Sequence, residues 1–168
     1  TSKFLRSIED QTLKLMNQGK SLNQVLHEVE IPNDLMELPW LTPIYDDPQF
    51  LIRMIWRRYG GWWDGEYDRL LPAPRKEEAL AWVELSNGID NIILKALENL
   101  NKGNLKVAAQ LIETAFHADN DNDQMHDARA KIYREFSLKQ SSSMGRNILN
   151  HASMASAQGK RDLAQTED

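Results

Sequence analysis

Apolar residues recur at helical spacing along almost the whole chain. Phe4, Leu5, Ile8, Thr12, Leu15 and Met16 fall on one helical face, and Gly19 stands where a C-terminal cap belongs. Ser21-Leu22-Asn23-Gln24 reads as a capping box, with Ser at the cap and Gln three residues on, each side chain answering a free backbone N–H. Leu22, Val25, Leu26 and Val29 continue one face, and Ile31-Pro32 is expected to stop that helix, because the residue before proline is pushed out of helical geometry. Pro32, Pro39 and Pro43 then predict a short helical turn and an irregular, partly buried connection over 32–46. Asp47-Pro48 restarts a helix, with Asp as N-cap and Pro at the first position. That helix runs to about Tyr59, before Gly60-Gly61. Its stretch Phe50–Trp56 is apolar on several sides, which predicts burial against more than one neighbour.

Trp62-Trp63-Asp64-Gly65 and Leu70-Leu71-Pro72-Ala73-Pro74 read as a long connection. Pro74 is expected to open the next helix, with Glu77 and Glu78 in its first turn and Ala79, Trp82, Val83 and Leu85 as its apolar residues, before Asn87-Gly88. The second half is more regular. Ile89, Ile92, Ile93, Ala96, Leu97 and Leu100 share a face; Lys102-Gly103-Asn104 is a tight turn, with a positive φ expected at Gly103. Leu105, Ala108, Ala109, Ile112, Ala115 and Phe116 make the next face, Asp119-Asn120-Asp121-Asn122 a turn, and Met125, Ala128, Arg129, Ile132, Tyr133 and Phe136 a further helix. Ser141-Ser142-Ser143 breaks the chain before Met144, Ile148, Leu149, Ala152 and Ala155. From about Gln158 the chain is polar and is expected to fray. No strand or hairpin signal competes; the fold class is all-α, a helical bundle.

Composition narrows the chemistry. The 168 residues carry 41% hydrophobic and 27% charged side chains and a net charge of −5, with an isoelectric point near 5.4. That balance argues against a nucleic-acid or anionic-membrane surface, and no run approaches the length of a membrane span. Cysteine is absent, which excludes disulfides, thiolate metal sites and a Cys nucleophile. His27, His117, His126 and His151 form none of the pairings that place two imidazoles on one metal. A site built from His117, His126 and Asp119 or Asp127 stays a minor alternative. Asp119-x-Asp121-x-Asp123 resembles the start of a calcium loop, but Gln124 replaces the required Gly and Ala130 the required Glu. There is no phosphate loop and no nucleophile elbow. No catalytic or metal residue is assigned, and no cofactor is expected in this chain.

One cluster stands out: Arg57, Arg58, Tyr59, Trp62, Trp63 and Asp64, followed by Gly65. As structure it is a buried aromatic corner whose Asp-Gly makes the turn. As function it is an interface or a wall facing a ligand, since Trp, Tyr and Arg anchor interfaces. Gly103-Asn104-Leu105 with Ala108, Ala115 and the polar turn after it resembles a tetratricopeptide hairpin, with Asn120 at the usual Pro position. One or two such units make no solenoid, so a small bundle using that hairpin is expected.

Read together, the motifs resemble the dimerisation domain of alkyl sulfatases, metallo-β-lactamase-fold enzymes that hydrolyse alkyl sulfate esters. Ile8–Leu13 with Asn17-Gln18-Gly19 is similar to the helix leaving the catalytic domain in that family, and Arg58–Gly65 to its Tyr-x-Gly-Trp-aromatic-Asp-Gly signature. Leu71–Pro74 resembles its Pro-x-Pro, Ala115–Asp119 the end of its alanine-rich hairpin, and Arg146-Asn147 the start of its last helix. The resemblance covers about residues 5–157. Glu66-Tyr67 departs from it, standing where Asn-Pro often follows. The family's His-x-His-x-Asp-His motif is not in this chain, so the resemblance implies an upstream zinc-dependent catalytic domain, with zinc held there. It also implies a homodimer and a division into 1–72, a helical linker region packing on that domain, 73–158, the dimerisation bundle, and 159–168, a polar tail. The active site would be walled in part by residues 57–64. The competing reading is a stand-alone tetratricopeptide-like adaptor that binds a protein partner.

Overall fold

The structure, a computed structural model, describes residues 2–32 and 44–159. Among them are eight α-helices and no strand. The short turn expected between Pro32 and Asp46 lies mostly outside the described residues. The chain divides into two compact units, one of residues 1–72 with 141–144, the other of 73–140 with 145–168.

The first unit holds α1 (Ser2–Asn17), α2 (Leu22–Glu28), α3 (Pro48–Gly60) and a single 3-10 turn, Tyr67–Arg69, which the sequence pattern does not announce. The expected caps form. Ser21 Oγ accepts from Gln24 N at 3.4 Å and Gln24 Oε1 from Ser21 N at 2.9 Å, while Asp47 caps α3 through Gln49 N at 2.8 Å. α2 ends at Glu28, three residues short of Ile31. Gln11 of α1 clamps the main chain at Glu30, donating to its carbonyl at 2.7 Å and accepting from its N–H at 3.0 Å. The chain therefore leaves helical geometry before proline can enforce it.

The core of this unit is Phe4, Ile8, Val25, Leu26, Ile52 and Trp56. α3 packs on both α1 and α2 but buries only Ile52 and Trp56. Leu51 and Ile55 are half-buried and Met54 exposed, so the expected packing against more than one neighbour is met with part of the apolar surface left open. Thr12 is fully buried in α1, and its hydroxyl finds no hydrogen-bond partner among the described residues. An unanswered buried hydroxyl destabilises. Thr12→Val keeps the shape and removes it, and should stabilise the chain by about 1 kcal/mol; a lower midpoint in urea would overturn this.

The second unit holds α4 (Arg75–Leu85), α5 (Ile89–Asn101), α6 (Leu105–Ala118), α7 (Asp123–Leu138) and most of α8 (Ser143–Ala157). α6 is central and packs on α4, α5 and α7. Ala96, Ala108 and Ala115 are fully buried beside Ile112, Phe116, Met125 and Ile132, small side chains that let the helix axes approach. Gly103 has a φ of 77°, and Asn104 N reaches back to Asn99 O at 2.9 Å, the expected turn. The Asp/Asn run is a capping device: Asp119 Oδ1 accepts from Asp121 N, and Asn122 caps α7 through Met125 N at 2.8 Å.

α4 departs from expectation. It starts at Arg75 with Pro74 as N-cap, and only Ala79 is buried. Trp82 is 53% exposed and Leu85 more so. Ala79 and Val83 lie one turn apart on the packed side. Residues three and six beyond Ala79 are rotated away from it by roughly 60° and 120°, which turns Trp82 and Leu85 outward.

Candidate functional site

The cluster from Arg57 to Gly65 forms where α3 ends and the chain folds back over α2. Trp56, buried on α3, donates its indole N–H to Trp63 O at 2.9 Å. Trp63 is half-buried; its own indole N–H bonds Glu66 O at 3.1 Å, and its ring meets the edge of Tyr67 at 5.6 Å. Asp64 Oδ1 accepts from Glu66 N at 3.0 Å, and Asp64 O accepts from Leu22 N at 2.8 Å. The last bond satisfies one of the N–H groups that every helix leaves open at its start. Gly65 has a φ of 86°, and a Cβ there would lie 3.1 Å from Ser21 Cα. Trp63, Asp64 and Gly65 thus fasten the returning chain onto the cap of α2.

The other members face outward. Arg57 and Arg58 are exposed, and Trp62 is 79% exposed, with Tyr67 at 83% and Leu71 at 89% beyond it. The buried aromatic corner is therefore only half realised: Trp56 and Trp63 are tucked in and Trp62 is not. Tyr59 donates its hydroxyl to Glu9 at 2.9 Å and lies beside the Arg58 guanidinium, 5.6 Å from its ring centre. The bond to Glu9, and then its charge, hold the phenol above its ordinary pKa. Arg58, Tyr59 and Glu9 rim a groove of about 240 Å³ floored by Leu5, Ile8, Leu51, Met54 and Ile55. This open apolar trough with a polar rim holds no nucleophile–base pair.

A second constellation, not singled out from the sequence, lies inside the other unit. Arg129 is 1% exposed. Its Nε bonds Glu113 Oε1 at 2.6 Å, its Nη1 bonds Ala152 O at 3.1 Å and Ser156 Oγ at 2.9 Å, and its guanidinium stacks 4.4 Å from the Phe116 ring centre and 5.0 Å from that of Tyr133. His126 Nδ1 lies 3.1 Å from Ser156 Oγ and Nε2 2.8 Å from Asn120 O. A guanidinium only donates and a carbonyl only accepts. The arrangement closes with Arg129 donating to Ser156, Ser156 to His126 Nδ1, and His126 Nε2–H to Asn120 O. A serine beside an oriented histidine has the form of a catalytic pair, but Ser156 is 3% exposed and does not line the groove between α1 and α3. The network ties α6, α7 and α8 together. The one signal for it in the sequence is a charged residue, Arg129, in register with the apolar face of Met125 and Ile132.

In the minor alternative, His117 and His126 would share a metal. Both ring nitrogens of His126 are engaged, His117 sits 4.0 Å from Glu113, and no metal-binding group of three His, Asp or Glu occurs among the described residues. Among those residues, no helix is long and apolar enough to cross a membrane.

Comparison with known proteins identifies the architecture. The family described as alkyl sulfatase dimerisation matches residues 21–159. A linear primary-alkylsulfatase of Pseudomonas sp. is 30% identical over 128 residues, 76% of this chain and 24% of that protein. The alkyl/aryl-sulfatase BDS1 of Saccharomyces cerevisiae is 28% identical over 153 residues, 90% of this chain and 24% of that protein. The solved structure of a stereoselective inverting sec-alkylsulfatase, Pisa1 from Pseudomonas sp., superposes with a TM-score of 0.83 at 24% identity, over 92% of this chain and 24% of that one. A double mutant of the same sec-alkyl sulfatase gives 0.82 at 25% identity, over 90% of this chain and 24% of that one. The chain thus spans about a quarter of the length of these relatives. With the family description covering most of the sequence and the same helical architecture in solved relatives, the chain belongs to the alkyl sulfatase dimerisation family.

Proposed function

We propose that this chain is the non-catalytic, self-associating helical part of an alkyl sulfatase-type hydrolase, holding two copies together in a homodimer. The observation that supports this reading is the set of large apolar side chains left in solvent: Met54, Trp62, Tyr67 and Leu71 in the first unit, Trp82, Leu85, Leu94 and Ile148 in the second. Exposed large apolar side chains that adjoin one another mark a partner surface, and most soluble homo-oligomers are two-fold. The interface is large and apolar, above roughly 2,000 Å², of the obligate kind, with helices of both halves contributing.

In the same reading, residues 1–72 pack on an upstream metallo-β-lactamase-type domain that holds zinc and hydrolyses a sulfuric ester. Residues 73–158 form the dimerisation bundle and 159–168 a polar tail. Arg57, Arg58, Tyr59 and Trp62, carried on a corner anchored by Trp63 and Asp64, wall the active site or meet the partner copy. The alkylsulfatase names of the relatives support the hydrolase class. The stand-alone adaptor loses ground, because those relatives carry this region as part of a longer enzyme. Light scattering on the purified chain tests the central claim. A discrete two-chain mass at micromolar concentration is expected; a stable monomer would remove it.

A further inference from the structure

We propose that Asn87 is a modification site: its side-chain amide converts to an acid through the Asn87–Gly88 peptide, and the C-terminal cap of α4 holds that reaction off until the cap opens. This is the sole Asn-Gly pair in the sequence, and Asn87 is exposed to water. Glycine carries no Cβ to hinder the approach to its nitrogen. The reaction needs only water and solvent base. Base takes the Gly88 amide proton, and Gly88 N attacks Asn87 Cγ to close a succinimide ring. The Cγ–Nδ2 bond breaks, and ammonia leaves with a proton returned from solvent. Water then opens the ring at either carbonyl, leaving aspartate or isoaspartate at position 87.

The folded geometry opposes the first bond. Asn87 is the sole non-glycine with a positive φ among the described residues, at 58°. It takes the left-handed position of a helix stop in which Gly88 N donates to Val83 O at 2.9 Å and Asn87 N to Glu84 O at 3.2 Å. Left-handed backbone has a ψ of about +47°, which sets Gly88 N and Cβ on opposite sides of the Cα–C bond. Ring closure needs them on the same side, so the 87–88 peptide must turn over and the bond from Gly88 N to Val83 O must break first. The junction is braced further. Asn91 Nδ2 donates to Ser86 O at 2.8 Å and to Asn87 O at 3.3 Å, and Ser86 Oγ lies 3.0 Å from Val83 O and 3.1 Å from Gly88 O. Each such bond contributes modestly, and helix ends open locally at lower free energy than the global transition. Isoaspartate routes the main chain through the former side chain, so the cap cannot re-form, and the last turn of α4, with Trp82 and Leu85, is left without its stop.

Incubation of the chain in mildly alkaline buffer, followed by peptide mapping with mass spectrometry, tests this. In denaturing guanidinium chloride Asn87 should convert ahead of the other asparagines and give a mixture of aspartate and isoaspartate. In the folded chain the same conversion should be at least about ten-fold slower. Asn91→Ala and, separately, Ser86→Ala should each speed the folded reaction about three-fold or more, keep the parent's helical circular dichroism, and react as the parent does in denaturant. Equal rates in the folded and denatured chain, no conversion at Asn87 in either, variants no faster than the parent when folded, or a gain in rate matched by a global loss of helix would each overturn the proposal.

Discussion

Arg129→Ala should destabilise the second unit by about 3 kcal/mol, the largest effect expected of any single side-chain truncation here. The guanidinium is buried between Phe116 and Tyr133 and answers Glu113, Ala152 O and Ser156 at once. Its removal leaves the Glu113 carboxylate without that partner, two oxygen acceptors without this donor, and a cavity between two rings. Breaking a buried pair from one side typically costs 3–5 kcal/mol. Glu113 keeps partial contact with water, which places the estimate at the lower end. The melting temperature should fall by roughly 6–12 °C. Arg129→Met keeps most of the stem volume, so the difference between the two variants separates the cavity from the lost hydrogen bonds. Arg129→Lys should not rescue, because an ammonium cannot present the planar fork. A melting temperature within about 2 °C of the parent for Arg129→Ala would show that the network contributes little.

Gly65→Ala is expected to cost about 2–3 kcal/mol, and the reason is specific to its position. Gly65 and Gly103 both have positive φ, 86° and 77°. A Cβ at Gly103 meets nothing within 4 Å, whereas at Gly65 it lies 3.1 Å from Ser21 Cα and 3.2 Å from Ser21 Cβ. Gly103→Ala therefore carries only the backbone strain, about 1 kcal/mol. Gly65→Ala adds a collision with main chain and pushes the Asp64 carbonyl off Leu22 N. Paired denaturation curves should separate the two, with a red shift of tryptophan emission in Gly65→Ala as Trp63 is uncovered. Equal losses at the two positions would refute the contact.

Much of the first-order architecture is written in short-range chemistry. Ser21 with Gln24, Asp47 with Pro48, the Gly103 turn and the Asn122 cap are each decided within four residues, because a cap or turn is satisfied by its own neighbours in the chain. The faces Ile92–Ala96 and Ala108–Phe116 are equally legible, since both helices bury a single stripe. The motif Tyr59–Gly65 stands out in the sequence as well, although not the division of labour within it.

What the tertiary structure decided are the features joining residues far apart in sequence. Gln11 ends α2 early by gripping Glu30, nineteen positions away, and overrides the proline rule that places the stop at Ile31. Trp62 and Trp63 are adjacent and alike, yet Trp63 is held by its own N–H and a ring contact while Trp62 stands in solvent; which of two neighbours is buried depends on the surface that the returning chain meets. Trp82 counts as core by composition and is exposed because α4 offers α6 only the side with Ala79 and Val83. Arg129 lies in apolar register, and its partners Glu113 and Ser156 come from two other helices, sixteen and twenty-seven positions away. Local sequence sets where helices begin, end and turn; a buried charge and an exposed tryptophan are settled only when separate helices meet, because desolvation depends on the neighbours that packing supplies.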